Sequence, residues 1–227
     1  LNTPDSERLG RQLLGMGELV VFQGDSITHG GRGETEDANH ILGHSYPFLI
    51  AAEAGATHPD LGRRFVNRGI SGDTLAAMTA RWQQDVLDLR PDLLSILIGV
   101  NDVGAIMDGW SDDVDGSRFG SQYDELLTRT RAALPGARLV LGEPFYLPTS
   151  PNPDLRKTWA AHVHARAAIV RDLAASHDAV FVAYQQAMDA AALRAPASYW
   201  IWDGVHPTYA GQRVLADTWI SAVTRTA

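Results

Sequence analysis

Short runs rich in β-branched and apolar residues alternate along the chain with longer stretches in which apolar side chains recur every three or four positions. The runs lie at 18–22 (ELVVF), 64–67 (RFVN), 92–99 (DLLSILIG), 137–142 (ARLVLG) and 179–183 (AVFVA). Their length and composition predict five strands. Helical spacing marks 73–89, 121–134, 155–177 and 208–225, and YPFLIAAEAG (46–55), opened by Ser45, predicts a further helix. Strands alternating with helices imply a parallel sheet covered on both faces. Continuous apolar strands such as LLSILIG agree, because a sheet with one wet face would alternate polar and apolar positions. The expected fold class is therefore α/β, a three-layer α/β/α sandwich, with 1–227 forming one domain. Segments 29–40 and 107–120, rich in glycine and charge, are expected to be surface loops at strand ends.

Composition narrows the partners. The 227 residues are 45% hydrophobic and carry a formal charge of -8, and Lys157 is the only lysine. Without a basic patch the chain is not expected to bind nucleic acid or an anionic membrane. The absence of cysteine removes disulfides, thiolate metal sites and cysteine nucleophiles together. No apolar run reaches membrane-spanning length, and the first residues, LNTPDSERLG, lack a signal-peptide pattern. A cytoplasmic location is the expectation. The start at Leu1 leaves open whether a leader was removed.

In an open parallel sheet, ligands bind beyond the carboxyl ends of the strands. The first strand is followed by Gly24-Asp25-Ser26, within QGDSITHG. Taken alone, this triplet is a turn. The second strand leads into NRGISGDT (67–74), where Asp73 or Thr74 would cap the next helix and Gly72 could offer its amide to an anion. The third is followed by Gly99-Val100-Asn101-Asp102, and the Asn101 side-chain amide is a second candidate donor. Late in the chain, WDGVHP (202–207) places His206 three residues after Asp203, within reach of its carboxylate. A hydroxyl, two oxyanion donors and an Asp/His pair at successive strand ends make up the set needed for acyl transfer.

The motifs GDS, NRGISGDT, GVND and DGVHP, in this order from about residue 18 to the end, resemble the four blocks of the SGNH, or GDSL-type, hydrolases. The resemblance implies a flavodoxin-like fold with a five-stranded parallel sheet, no metal or other cofactor, and a Ser-His-Asp triad. Position by position, Ser26 is similar to the family nucleophile, His206 to the base and Asp203 to the acid. Gly72 and Asn101, with the amide of Ser26, are similar to the oxyanion donors. FQGDSIT, ARWQQDVLDLRPDLLSILIGVNDV and DGVHPTYAGQ most resemble bacterial members that remove acetyl groups from carbohydrates, acetylxylan esterases among them. His29 departs from the pattern, standing where many such members carry Asp or Asn.

The implied activity is hydrolysis of short acyl esters, with O-deacetylation of a carbohydrate such as an acetylated xylo-oligosaccharide as the leading substrate class. The alternatives are a lipid-directed esterase, thioesterase or lysophospholipase, and a non-catalytic binding domain. Asp25, His29, Trp110 and Trp202 are expected to touch substrate, the two indoles by stacking on a sugar ring. Those indoles could equally fill core or subunit contacts, which leaves a homo-oligomer open. Ser45, in GHSYP, is expected only to start a helix, since no strand precedes it. His40 with His44, and His162 with His164, are not expected to hold a metal: Gly43 weakens the first helix, and two-residue spacing splays the second pair.

Overall fold

The computed structural model describes residues 17–33, 35 and 37–225. The first sixteen residues of the expected domain, including LNTPDSERLG, and residues 34 and 36 of the expected 29–40 loop lie outside them. The sheet contains β1 (Leu19–Gly24), β2 (Arg64–Asn67), β3 (Leu93–Leu97), β4 (Arg138–Gly142) and β5 (Val180–Val182), all parallel, in the order β2-β1-β3-β4-β5. This is the flavodoxin order, whose direction of winding reverses between β1 and β3. Ser26 follows the first of those strands and Asn101 the second, so the crevice opened by the reversal lies between them.

The central strands β1, β3 and β4 bury both faces while the edge strands β2 and β5 are half-buried, and successive residues feed two separate cores. Val20, Phe22, Leu93, Leu97, Val140 and Val182 face α2 (Tyr46–Thr57), α7 (Tyr184–Ala192) and α9 (Tyr209–Arg225). Val21, Leu94, Ile96, Leu139 and Leu141 face α3 (Leu75–Ala80), α5 (Ser117–Ala133) and α6 (Pro153–Ser176). A strand period of two explains this division. The remaining helices are short: α1 (Ser26–His29), α4 (Val100–Met107) and α8 (Ala197–Trp200). The structure is thus an α/β fold with a five-stranded parallel sheet and helices on both sides.

Two segments differ from the pattern reading for identifiable reasons. The stretch 73–89 is not one helix: α3 ends at Ala80, and a wider π turn spans Gln83–Leu87. Met78, Trp82 and Val86 are all fully buried at four-residue spacing, which hides the interruption from a periodicity argument. The segment 107–120 is only partly loop, because α4 ends at Met107 and α5 starts at Ser117. The cap of α5 is supplied from a distance, by the Asp113 carboxylate accepting the amides of Arg118 and Phe119 at 3.0 Å each. Asp115 Oδ1 accepts the Ser117 amide at 3.0 Å, so the first turn is served by two carboxylates that precede Gly116, the residue at the N-cap itself.

Trp219 joins α9 to the sheet, fully buried against Phe22 and donating its indole N–H to Ser95 Oγ at 3.0 Å. Truncating it to alanine opens a cavity and leaves the Ser95 hydroxyl without this partner. Trp219→Ala is expected to lose about 3–5 kcal/mol of stability in urea unfolding, while Trp219→Phe loses clearly less.

Candidate active site

The Ser26 turn begins where β1 runs out of room. A side chain on Gly24 would bring its Cβ to 2.2 Å from the Leu97 carbonyl oxygen, and its φ of 152° is one that side chains rarely adopt. The chain then enters α1, whose N-cap Asp25 is buried and accepts the Ile27 amide at 2.9 Å. Ser26 is left at the first helical position, on the rim of the crevice.

His206 arrives on a separately braced loop. An antiparallel bridge between Ile201 and Pro207 closes it, and Trp202 N–H donates to the His206 carbonyl at 3.1 Å. Asp203 Oδ1 accepts the amides of Val205 at 3.0 Å and His206 at 2.8 Å, while Oδ2 meets His206 Nδ1 at 2.6 Å. On its other side, His206 Nε2 lies 2.7 Å from Ser26 Oγ. Burial pushes the Asp203 carboxyl up, but the His206 amide, the His206 ring and the Val205 amide outweigh it and hold the group below its ordinary value. An ionised Asp203 fixes the proton on Nδ1 and leaves Nε2 free to take the serine proton. The arrangement can therefore produce an alkoxide nucleophile.

Gly72 and Asn101 follow β2 and β3, the two strands that flank β1. Gly72 has φ 86°, and a Cβ there would touch nothing within 4 Å, so the backbone conformation alone requires glycine. Asn101 Nδ2 donates one hydrogen to the Asp73 carbonyl at 3.0 Å, which ties the start of α4 to the residue after Gly72. A primary amide has a second N–H to offer. Thr74, not Asp73, caps α3, accepting the Ala77 amide at 3.3 Å.

Residues 22–214 match the model of the GDSL-like lipase/acylhydrolase family. The chain belongs to that family. It is 32% identical over 215 residues to the acetylxylan esterase of Geobacillus stearothermophilus, covering 92% of this chain and 95% of the relative. Among solved structures, a protein described as a GDSL-like lipase from Parabacteroides merdae superposes with a TM-score of 0.86 at 33% identity, covering 92% of this chain and 97% of the other. Axe2, the acetylxylan esterase from Geobacillus stearothermophilus, gives a TM-score of 0.81 at 30% identity, over 93% and 96% of the two chains. As a GDSL-type protein the chain is a carboxylic ester hydrolase.

The crevice of this GDSL hydrolase is a cleft of about 250 Å³ lined by Ser26, Ile27, Gly30, Gly31, His44, Trp202, His206, Pro207 and Gln212. Trp202 is 69% exposed, with its ring centroid 6.1 Å from that of His206. Of the four side chains expected to touch substrate, it is the one that lines this cleft. Asp25 requires correction: it is only 1% exposed, and its carboxylate serves the α1 backbone instead of a ligand. Trp110 is 84% exposed but is not part of the cleft wall. His29 turns its Nδ1 toward the Gly31 amide at 3.1 Å and Ser71 Oγ at 3.2 Å, joining α1 to the loop that carries Gly72. Burial, then Arg32 and His44, lower its pKa, favouring the neutral ring that these two contacts need.

Three residues outside the expected set shape the site. Asn67, fully buried, donates from Nδ2 to the carbonyls of Thr28 at 2.8 Å and Leu42 at 3.0 Å, and accepts the Gly69 amide at 2.9 Å. Gln212 accepts the Tyr46 amide at 2.9 Å and lines the cleft. His44 forms part of the wall beside the Gly30-Gly31 turn. Asn67 and Gln212 stand inside the NRGISGDT and DGVHPTYAGQ motifs, which was the available signal; His44 had none. Among the described residues no group of three or more His, Asp or Glu is placed to hold a metal ion, and no helix is long and apolar enough to cross a membrane. His40 Nδ1 instead meets Asp37 at 2.5 Å.

Burial raises the Asp25 carboxyl from 3.8 to about 7; the Ile27 amide opposes the rise and the nearby Asp102 and Asp73 add to it. The unfolded chain ionises Asp25 near pH 4, so its contribution to stability is complete below that pH and is lost as pH rises to about 7. The loss is on the order of 4 kcal/mol. Asp25→Asn keeps an oxygen for the Ile27 amide and removes the charge. Urea unfolding is expected to show the variant gaining on the wild type between pH 4 and 7, then levelling off. A difference independent of pH would show that this carboxyl does not titrate near neutrality.

Proposed function

We propose that this hydrolase removes acetyl groups from carbohydrate esters, such as acetylated xylo-oligosaccharides, through Ser26, His206 and Asp203. The observation that carries the reading is the continuous chain of contacts from Ser26 Oγ to His206 Nε2 at 2.7 Å and from His206 Nδ1 to Asp203 Oδ2 at 2.6 Å. In this mechanism His206 takes the Ser26 proton as Oγ attacks the ester carbonyl. The tetrahedral oxyanion is stabilised by the amides of Ser26 and Gly72 and by the free N–H of Asn101 Nδ2. As the bond from the carbonyl carbon to the sugar oxygen breaks, the imidazolium protonates that oxygen, releasing the sugar hydroxyl and leaving an acyl-serine. Water, deprotonated by His206, releases the acid and restores the hydroxyl. Asp203 keeps the imidazole oriented and balances its transient charge.

Solved structures of Axe2 include catalytic mutants in which a serine and an aspartate are each replaced by alanine. That agrees with giving Ser26 and Asp203 catalytic roles here. The substrate class draws support from the size of the cleft, whose volume of about 250 Å³ suits a short acyl group better than a long acyl chain. Exposed Trp202 beside His206 offers a flat face on which a pyranose ring can stack.

Ser26→Ala is expected to reduce turnover of p-nitrophenyl acetate by roughly 10⁴-fold or more. Asn101→Ala should lower kcat by about 10²–10³ with a smaller change in KM, since it removes a donor used in the transition state. Equal rates in wild type and Ser26→Ala would end the triad reading. Acetate release from acetylated xylo-oligosaccharides tests the substrate, and a strong preference for octanoyl over acetyl esters would replace the deacetylase with the lipid-directed alternative.

A further inference from the structure

Behind the loop that carries Gly72 lies a largely buried guanidinium that joins the ends of β1 and β2 to the loop before α3 and to the π turn after it. Arg81 follows α3, and only 16% of its side chain is exposed. Its Nε and Nη2 donate to Asp73 Oδ2 at 2.8 and 2.6 Å. Its Nη1 donates to the Arg68 carbonyl at 2.7 Å and to Asp85 Oδ2 at 2.6 Å. Nη2 also points at the Gly24 carbonyl, at 3.5 Å. The acceptors belong to four different places: the end of β1, two residues before Ser26; the residue after β2; the loop between Gly72 and α3; and the π turn, through Asp85.

Asp73 is the hinge of this arrangement. Its side chain takes two of the guanidinium donors, its amide donates to the Ile70 carbonyl at 3.2 Å, and its own carbonyl accepts Asn101 Nδ2 at 3.0 Å. The same residue thus sets the peptide following Gly72 and the rotamer of Asn101. A guanidinium is planar, permanently charged and able to serve several oxygens at fixed angles, which an ammonium cannot do.

We propose that Arg81 is a positioning residue for ester hydrolysis: through Asp73 it fixes the Gly72 amide and the Asn101 side chain relative to Ser26. This rests on the reading of Gly72 and Asn101 as oxyanion donors. Arg81 touches neither substrate nor the reacting atoms, and its effect falls on the transition state, where the oxyanion develops. Its loss therefore lowers kcat and leaves KM nearly unchanged.

The test is steady-state hydrolysis of p-nitrophenyl acetate by the full chain carrying Arg81→Ala, Arg81→Lys, Asp73→Ala, the Arg81→Ala/Asp73→Ala double change, or Ser26→Ala. Arg81→Ala is expected to lower kcat by on the order of 10²-fold, with KM within about threefold. Added guanidinium ion should recover at least about tenfold of that loss, whereas Arg81→Lys should remain impaired. Asp73→Ala should show the same kcat-selective loss, and the double variant should be no slower than the worse single variant, as residues acting as a unit require. If Arg81→Ala fails to fold, Asp73→Ala decides: a kcat within about threefold of wild type overturns the proposal. Multiplying losses in the double variant, or a loss confined to KM, also overturns it. An inactive Ser26→Ala beside a fully active Arg81→Ala would sink this inference alone, while an active Ser26→Ala would sink the triad reading beneath it.

Discussion

Helix α1 has four residues, too few to satisfy its own carbonyl groups, and the rest of the site is assembled around that deficit. Thr28 O receives Ser45 Oγ at 2.6 Å and Asn67 Nδ2 at 2.8 Å, and Ile27 O faces Gln212 Nε2 at 3.5 Å. These donors come from the start of α2, the end of β2 and the first turns of α9. Buried carbonyls are costly to leave unpaired, so each of these elements is drawn to a fixed position around Ser26. Gly69 completes the packing, since a Cβ there would come within 2.6 Å of the His29 amide nitrogen.

Against this fastened turn stands the histidine loop, which is braced largely by itself. Asp203 bonds two amides and the imidazole, and the Ile201–Pro207 bridge closes the base. The Ser26–His206 contact joins two preformed pieces 180 residues apart in the chain. Preorganisation of this kind lets polar groups act on developing charge without first rearranging. It also explains why the crevice sits at the reversal of strand order, where the loops after β1 and β3 diverge and leave room for a ligand.

Three acidic side chains collect beneath the cleft, and their environments separate their roles. Asp73 has Arg81 as its counterion, at 2.6 Å. Asp102 accepts the Leu75 amide through both oxygens, yet burial still raises it to about 6. Asp25, raised further, caps α1. Asp203, bonded to two amides and the imidazole, has its carboxyl lowered, which suits it to accompany a charged imidazole.

Much of this was legible in the residue pattern. Strand runs such as LLSILIG and ARLVLG specify buried parallel strands because burial on both faces needs uninterrupted apolar sequence. GDS, Gly72, Asn101 and DGVHP pointed to strand ends, since a fold of this class places such polar groups there. The interruption after α3 and the start of α5 were not legible: Met78, Trp82 and Val86 keep helical spacing through the π turn, and the first turn of α5 is served by Asp113 and Asp115. Nor could the sequence separate Asp25 from a ligand-binding carboxylate, or Trp202 from Trp110. Local pattern records which backbone geometry and burial a segment prefers, and that determined the layers, the strands and the candidate chemistry. Which carbonyls α1 leaves unpaired, which distant side chains reach them, and which of the two indoles lines the cleft depend on contacts between residues far apart in the chain, and those only the tertiary structure decided.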